Sequence, residues 1–499
     1  MTDQDQSEAI EALQSGAATG EPGPLARIDT HLSHVFLGAR RAYKLKRAVV
    51  MPFVDFSTRE KRRAACLNEL DVNRRLAPRL YLGVEPLARG PDGALRLGGP
   101  GEPVDWLVVM RRFAPGALLD EMARDGRLDA DLVARTAEAV ARFHAGLEPV
   151  PDAGGPDYYR GLIAGLRRTE ADGAAAHGLK PGPDDLYAGL EQQIARRAPL
   201  IERRRAAGWV RRGHGDLHLR NICLFEGEPT PFDALEFDPA LATADVLYDL
   251  AFLLMDLRRR GLPALANLAM NRYWDAAGQE EAALALLPLF MALRAAVRCA
   301  VAMEAGQPEE AETYRALGLE LLTPGRARLV AVGGLSGSGK SAVARQVAAD
   351  LPGPCGARVL RTDVIRKAVL GAAQDEPLGE AAYAPQARAA VYRLMAARAG
   401  EALGAGAAVI ADATFQAAVA RQQIKVAAGG APFQGLWLKA STAVRVARVS
   451  ARSGDPSDAD ARVAAAQVEP ELEPDWIVID ADPELETVAK SARRALDLA

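Results

Sequence analysis

The sequence predicts a multidomain α/β chain: an α+β domain with a small antiparallel sheet and a helical lobe, followed by an α/β domain with a parallel sheet. Three observations predict it. Short runs of strand type, Val35–Leu37 and Ala42–Lys46, flank the turn residues Gly38-Ala-Arg-Arg41, as hairpins do. Helical periodicity then dominates from Leu118 to Ala207 and again from Ala242 to about Leu322. From Arg328 onward, apolar strands alternate with helices, which is the pattern of a parallel sheet.

Taken in order, residues 1–24 are polar, carry Gly and Pro without periodicity, and are expected to be a flexible tail. A first domain is expected over residues 25–323, a linker at 324–327, and a second domain over 328–499. In the first, the hairpin leads to a helix over about Thr58–Leu76, a second hairpin (Leu82–Pro86 with Leu95–Leu97) and the apolar strand Trp106–Met110. Pro324-Gly325 punctuates the chain just before the second domain. Its strands are read at Arg328–Gly333, Val359–Leu360, Ala408–Ala411, Gly435–Leu438 and Trp476–Ile479.

Composition narrows the function classes. The chain of 499 residues is 49% hydrophobic and 25% charged, enough for two or three domains with cores of their own. The formal net charge of −4 argues against a surface that coats nucleic acid and leaves only a local basic groove open. The four cysteines form no C-x-x-C pair, so neither zinc nor a disulfide framework is expected, and a reducing cytoplasm fits best. The most apolar stretch, Ala282–Val297, is interrupted by Pro288 and Arg294 and reads as too short for a bilayer, so no membrane partner is expected.

Two stretches carry chemistry. Gly334-Leu-Ser-Gly-Ser-Gly-Lys-Ser341 fits G-x-x-x-x-G-K-[ST], with a strand before it and a helix after it. Backbone N–H groups of Gly334, Ser336, Gly337, Ser338 and Gly339 would wrap phosphates, Lys340 would reach the outer ones, and the Ser341 hydroxyl would face Mg2+. This predicts ATP and Mg2+ as cofactors. In a parallel sheet, ligands lie at the carboxyl ends of the strands. Asp363 and Asp412 end two such strands, so Asp363 is read as the base for an acceptor hydroxyl, with Arg366 one turn on to steady the phosphoryl group, and Asp412 as a carboxylate for the Mg2+ water shell or the acceptor. Arg448 and Arg452 share a helix face and suit a cationic lid.

The other stretch is His214-Gly-Asp-Leu-His-Leu-Arg-Asn221 with Phe232-Asp233 downstream. It has the shape H-x-D-x-x-x-x-N, in which Asp216 would accept an acceptor proton, while Asn221 and then Asp233 would face metal on the nucleotide phosphates. Asp245 and Asp249 read as capping or loop-bracing carboxylates. Lys44 follows Ala42 on a strand, and Glu69 on the next helix could pair with it. Strand alternation puts Lys46 on the same face as Lys44, leaving open which lysine grips phosphate.

With His218 in the loop, residues 30–320 resemble the aminoglycoside phosphotransferase and choline kinase branch of the kinase fold. The resemblance implies a kinase-like domain with Asp216 as base, Asn221 and Asp233 as metal ligands, Lys44 as phosphate ligand, Glu69 as its partner, and Trp106–Phe113, including Met110, as the hinge beside adenine. No clear G-x-G-x-x-G lies between His31 and Arg41. Residues 328–482 resemble small P-loop kinases of the gluconate kinase, polynucleotide kinase and zeta-toxin type, on Asp363-x-x-Arg366 and the phosphate loop. Ser457-Asp458-Ala459 and Gln467 add a resemblance to bacterial fusions of these two halves. The reading implied is a two-headed kinase transferring γ-phosphate to hydroxyls of small molecules. The alternatives are a C-terminal half acting on a nucleic-acid 5′-hydroxyl or a nucleotide-sugar, and a nucleotide-dependent switch.

Overall fold

The computed structural model describes residues 5–51, 54–374, 376–451 and 461–498. The chain divides into two compact units, residues 1–158 with 201–256 and residues 159–200 with 257–499. The expected division at 324–327 does not coincide with that partition, because those residues lie inside the second unit. The physical reason is polar. Asn271, on the helix Pro263–Ala277, accepts from Val359 N at 2.7 Å and donates to Ala357 O at 3.1 Å, while Asn267 donates to Cys355 O and Ala357 O. These bonds tie a helix preceding the expected linker to an edge strand following it.

In the first unit, a six-stranded antiparallel sheet runs in the order Ala26–Asp29, Ser33–Leu37, Arg41–Lys46, Glu102–Arg111, Tyr81–Arg89 and Leu95–Leu97. The helix Arg59–Arg74 is capped by Thr58 and buries Ala65, Cys66 and Glu69. Pleating separates the two faces of Arg41–Lys46. Tyr43 and Leu45 enter a cluster with Phe36, Leu107 and Val109, whereas Ala42 joins Cys66 and Met110 on the other face.

The tail expected to be flexible is in part ordered. Ser7–Gln14 is a helix whose Ala9 and fully buried Leu13 cover the Tyr43–Leu45 face. Gln6 fastens it by donating to Lys46 O at 2.9 Å and to Asp105 Oδ2 at 2.8 Å. An antiparallel sheet with both faces apolar needs a cover on each, and the N-terminal residues supply one.

The second unit holds a five-stranded parallel sheet in the order Arg358–Arg361, Val409–Asp412, Leu329–Gly334, Phe433–Lys439 and Trp476–Asp480. Its core joins Val330, Val332, Ile410, Leu436 and Leu438 to Val343 and Val347 of the helix Lys340–Ala348 and to Val488 of Leu485–Ala495. The fold class is the one expected. The apolar stretch read as too short for a membrane belongs to a longer run, Glu281–Glu304. That run is long and apolar enough to cross a bilayer by length and composition, and 78% of its apolar window is buried within the protein. The cysteines are all free and buried.

Candidate functional sites

The first site lies in the first unit. Lys44 Nζ stands 2.9 Å from Glu69 Oε1 and 2.5 Å from Asp233 Oδ1. Lys46 Nζ stands 2.5 Å from Glu69 Oε2 and also pairs with Glu236. Glu69 is thus shared between two buried ammonium groups. Burial alone would push its carboxyl up, but Lys44 and Lys46 outweigh that and hold it below its ordinary value. Burial likewise opposes the charge on Lys44, yet Asp233, Glu69 and Glu236 raise it well above the usual lysine value. The geometry separates the two lysines left open by the sequence. Lys46 is enclosed between Glu69 and Glu236, with 1% of its side chain exposed, whereas Lys44 reaches Asp233, whose side chain is 42% exposed.

Asp233 has φ +60°, a left-handed conformation for a residue other than glycine. Such backbone costs about 1–3 kcal/mol and persists where the surroundings enforce it. Here Asp233 N donates to the Tyr81 hydroxyl at 3.2 Å, and Ala234 N donates to Asn73 Oδ1 at 2.9 Å. The strain aims the carboxylate at Lys44.

Asp216 is half-buried. Its Oδ2 accepts from Asn221 Nδ2 at 2.8 Å and lies 3.3 Å from His218 Nε2. Asp249 braces the loop from behind, accepting from His214 N at 2.7 Å and Gly215 N at 2.9 Å and lying 3.1 Å from His144 Nε2. Asp245 Oδ2 accepts from Arg204 Nε at 2.6 Å. Gly215 has φ +81°, and a Cβ there would stand 2.9 Å from Leu235 Cβ. Burial pushes the His214 imidazole below its ordinary value. Met110 lies opposite Ala42 across the sheet and is buried.

The second site opens on a cavity of about 530 Å3. Gly337, at φ +84°, passes so close to the helix Thr442–Ser450 that a Cβ would strike Arg445 O. Ser336 N donates to Gln467 Oε1 at 2.7 Å, so a side-chain oxygen already sits on one amide of the loop. The Ser338 hydroxyl is buried without a hydrogen-bond partner, and Lys340 Nζ donates to Leu335 O at 3.1 Å. Ser341 Oγ donates to Asp412 Oδ2 at 2.6 Å. Asp363 Oδ1 accepts from Arg366 at 2.6 Å, and that guanidinium lies 4.5 Å from the centre of the Tyr383 ring. Gly334 ends the strand that leads into the loop, and Gly339 caps the helix that leaves it.

A hydroxyl and a carboxylate offer hard oxygen donors, which suits Mg2+, an ion that keeps several waters and takes the rest of its ligands from phosphate. Ser341 and Asp412, in contact at 2.6 Å, are a donor pair that fits the ion.

Arg448 lines the cavity, its guanidinium held by Ala481 O at 2.8 Å and Pro483 O at 3.1 Å. Arg452, the other arginine expected in a lid, and Ser457-Asp458-Ala459 lie outside the described residues. Sequence reading missed Arg361, Glu236 and Tyr392. Arg361 contacts Asp412 and Ser341, Glu236 pairs with Lys46, and the Tyr392 hydroxyl lies 3.0 Å from Thr414 Oγ1 in the cavity wall. Only Arg361, two residues before Asp363, had a local signal.

Residues 38–287 match the phosphotransferase enzyme family, and residues 329–470 match an AAA domain. The chain is 33% identical over 459 residues, covering 88% of either chain, to the uncharacterized protein Rv2004c of Mycobacterium tuberculosis (strain ATCC 25618 / H37Rv). It is equally similar to the uncharacterized protein Mb2027c of Mycobacterium bovis (strain ATCC BAA-935 / AF2122/97). Among solved structures it is similar to a choline/ethanolamine kinase family protein from Mesorhizobium loti, with 16% identity, a TM-score of 0.40, and coverage of 64% of this chain and 94% of that one. A sugar kinase from Janibacter sp. HTCC2649 aligns at 24% identity and a TM-score of 0.28, covering 35% of this chain and 96% of that one.

Proposed function

Since the chain belongs to the phosphotransferase enzyme family and is an enzyme of the kinase class, we propose that it carries two separate ATP-dependent sites, each transferring the γ-phosphoryl group to a hydroxyl of a small molecule. The observation that carries this reading is the cavity of the second site. Lys340 and Ser341 line it together with Asp412, and so does the Asp363–Arg366 pair. Nucleotide and acceptor can therefore meet in one enclosure.

In the second site, Asp363 takes the proton of the acceptor hydroxyl as its oxygen bonds to the γ-phosphorus. The bond from that phosphorus to the β-phosphate oxygen breaks, and ADP leaves. Lys340 and the loop amides hold the phosphates in line, and Arg366 steadies the group in transfer through a planar fork that a lysine cannot reproduce. Ser341 and Asp412 would hold Mg2+, which when bound would neutralise charge on the phosphates. In the first site, Asp216 has the base role, Lys44 grips phosphate, and Asn221 and Asp233 serve the metal side. Asp216 is tied to Asn221 by the 2.8 Å bond, which supports a base and a metal-side amide acting at one place. The adenine-side role of Met110 rests on the resemblance, and the lid role of Arg448 rests on its position in the cavity wall.

The test is ATP turnover by the full chain against a panel of polyols, amino alcohols, aminoglycosides and nucleosides, with Asp216→Asn and Asp363→Asn in parallel. Each variant should remove a different subset of acceptors. Slow ATP hydrolysis indifferent to the whole panel would replace this reading with a nucleotide-dependent switch.

A further inference from the structure

Arg361 is the cation of the second site that the motif does not call for. It ends the edge strand Arg358–Arg361 and stands directly beside Asp412 in the register of the parallel sheet. Its Nε lies 3.2 Å from Asp412 Oδ2, and its Nη2 donates to Ser341 Oγ at 3.1 Å. That same Asp412 oxygen accepts from Ser341 at 2.6 Å. The guanidinium therefore contacts both side chains that would face a divalent ion, in a place where 10% of Arg361 and 4% of Asp412 is exposed.

The strand that delivers Arg361 is held at its other end. Arg358 pairs with Asp275 at 2.6 Å and Glu281 at 3.0 Å, and Val359 N donates to Asn271 Oδ1 at 2.7 Å. Anchored this way, the strand fixes the starting point of the Arg361 side chain, so the cation is built into the site.

We propose that Arg361 is a resident counter-cation of the Ser341–Asp412 pair: it occupies the divalent-ion position when no ion is bound, and it reduces the dependence of nucleotide binding on that ion. The proposal rests on the reading of the second site as a nucleotide and Mg2+ site. A guanidinium on Asp412 competes with an incoming divalent cation through like charge and through the shared oxygen ligands. With no ion present, the same guanidinium can swing to a phosphate oxygen and neutralise it through paired N–H donors. Arg361 thus weakens binding of the ion-loaded nucleotide and strengthens binding of the bare one, and both effects shrink the ratio between them.

The experiment is calorimetric titration of ADP into the full chain, with Mg2+ or with excess EDTA, for the unaltered protein and for Arg361→Gln, Arg361→Lys and Lys340→Ala. The Lys340→Ala isotherm reports the first site and isolates the second by difference. For Arg361→Gln, the ratio of second-site dissociation constants without and with Mg2+ should rise about tenfold or more, the size of ordinary coupling between ligands. Arg361→Lys, which keeps the charge but not the fork, should give an intermediate rise, and it decides the matter if the glutamine variant does not fold. A ratio unchanged within about twofold in a folded variant, with only the melting temperature lowered, would make Arg361 a structural residue and overturn the proposal. If Lys340→Ala left total ADP binding unchanged, the nucleotide reading of the second site would fall first and the proposal with it.

Discussion

In the first site, Lys44 is clasped by Glu69 and Asp233, with Lys46 and Glu236 behind it. In the second, a glycine-bearing loop leads into a helix, with Lys340 turned onto a carbonyl of that same loop. A buried network loses heavily when one member is removed, because an uncompensated charge remains. A loop of amides at a helix N-terminus loses affinity when its lysine goes, but the fold stands on its apolar core. Removal of one charged side chain should therefore read out as lost stability in one unit and lost binding in the other.

The largest expected effect is on chemistry at the second site. Asp363→Asn should lower turnover of that site's acceptors by about 10²–10⁴-fold with little change in ATP affinity, as removal of a general base does. Steady-state kinetics together with melting temperature check it, since a purely structural Asp363–Arg366 pair would lower stability and leave turnover intact.

Next in size is Glu69→Gln. Two buried ammonium groups lose their shared carboxylate, and the stability of the first unit should drop by about 3–5 kcal/mol, measured by chemical denaturation. This variant also carries a pH signature. The Glu69 carboxyl sits below its ordinary value in the folded chain, so the unfolded chain takes up the proton first as acid is added. Its contribution is complete above the ordinary carboxylate range and is lost as pH falls through the lowered folded value. Acid unfolding of Glu69→Gln should therefore be shallower than that of the unaltered chain; identical acid limbs would mean that Lys44 and Lys46 do not hold the Glu69 carboxyl below its ordinary value.

Lys340→Ala should weaken nucleotide binding at the second site by about 10–100-fold, the worth of one charge-assisted contact, while the denaturation curve stays in place. Calorimetric titration alongside denaturation separates the two quantities. The smallest expected effect is Thr58→Ala. Its hydroxyl accepts from Lys61 N at 3.3 Å at the start of the helix that carries Glu69, and its loss should cost about 1 kcal/mol. ATP binding at the second site should not respond, and a response there would mean that the two sites are less separate than their partners imply.

Local spacing made much of this molecule legible. The phosphate loop, the His214–Asn221 loop and all five strands of the parallel sheet are written in runs of a few residues, where backbone conformation and periodicity leave a direct mark. Glycines at Gly215 and Gly337 stand where a side chain would collide. The helix Ser7–Gln14 was missed because eight residues are too few to signal a helix that is stable alone, and its order comes from the distant Tyr43–Leu45 face that it covers. The short strands Val210–Arg212 and Thr243–Asp245 were missed for a related reason, since pairing of such short, separated segments cannot be read locally.

The residues alone placed a nucleotide loop between a strand and a helix, and set Asp216, Asn221 and Asp233 in the order that the kinase resemblance implies. Tertiary structure alone decided that Lys46 is enclosed with Glu236, that Arg361 rests on Asp412 and Ser341, and that Arg358 is buried against Asp275 and Glu281. The reason is electrostatic. A charged side chain enters a protein interior only with its partner, and partners separated by 20 to 190 residues are chosen by folding, with no trace in local composition.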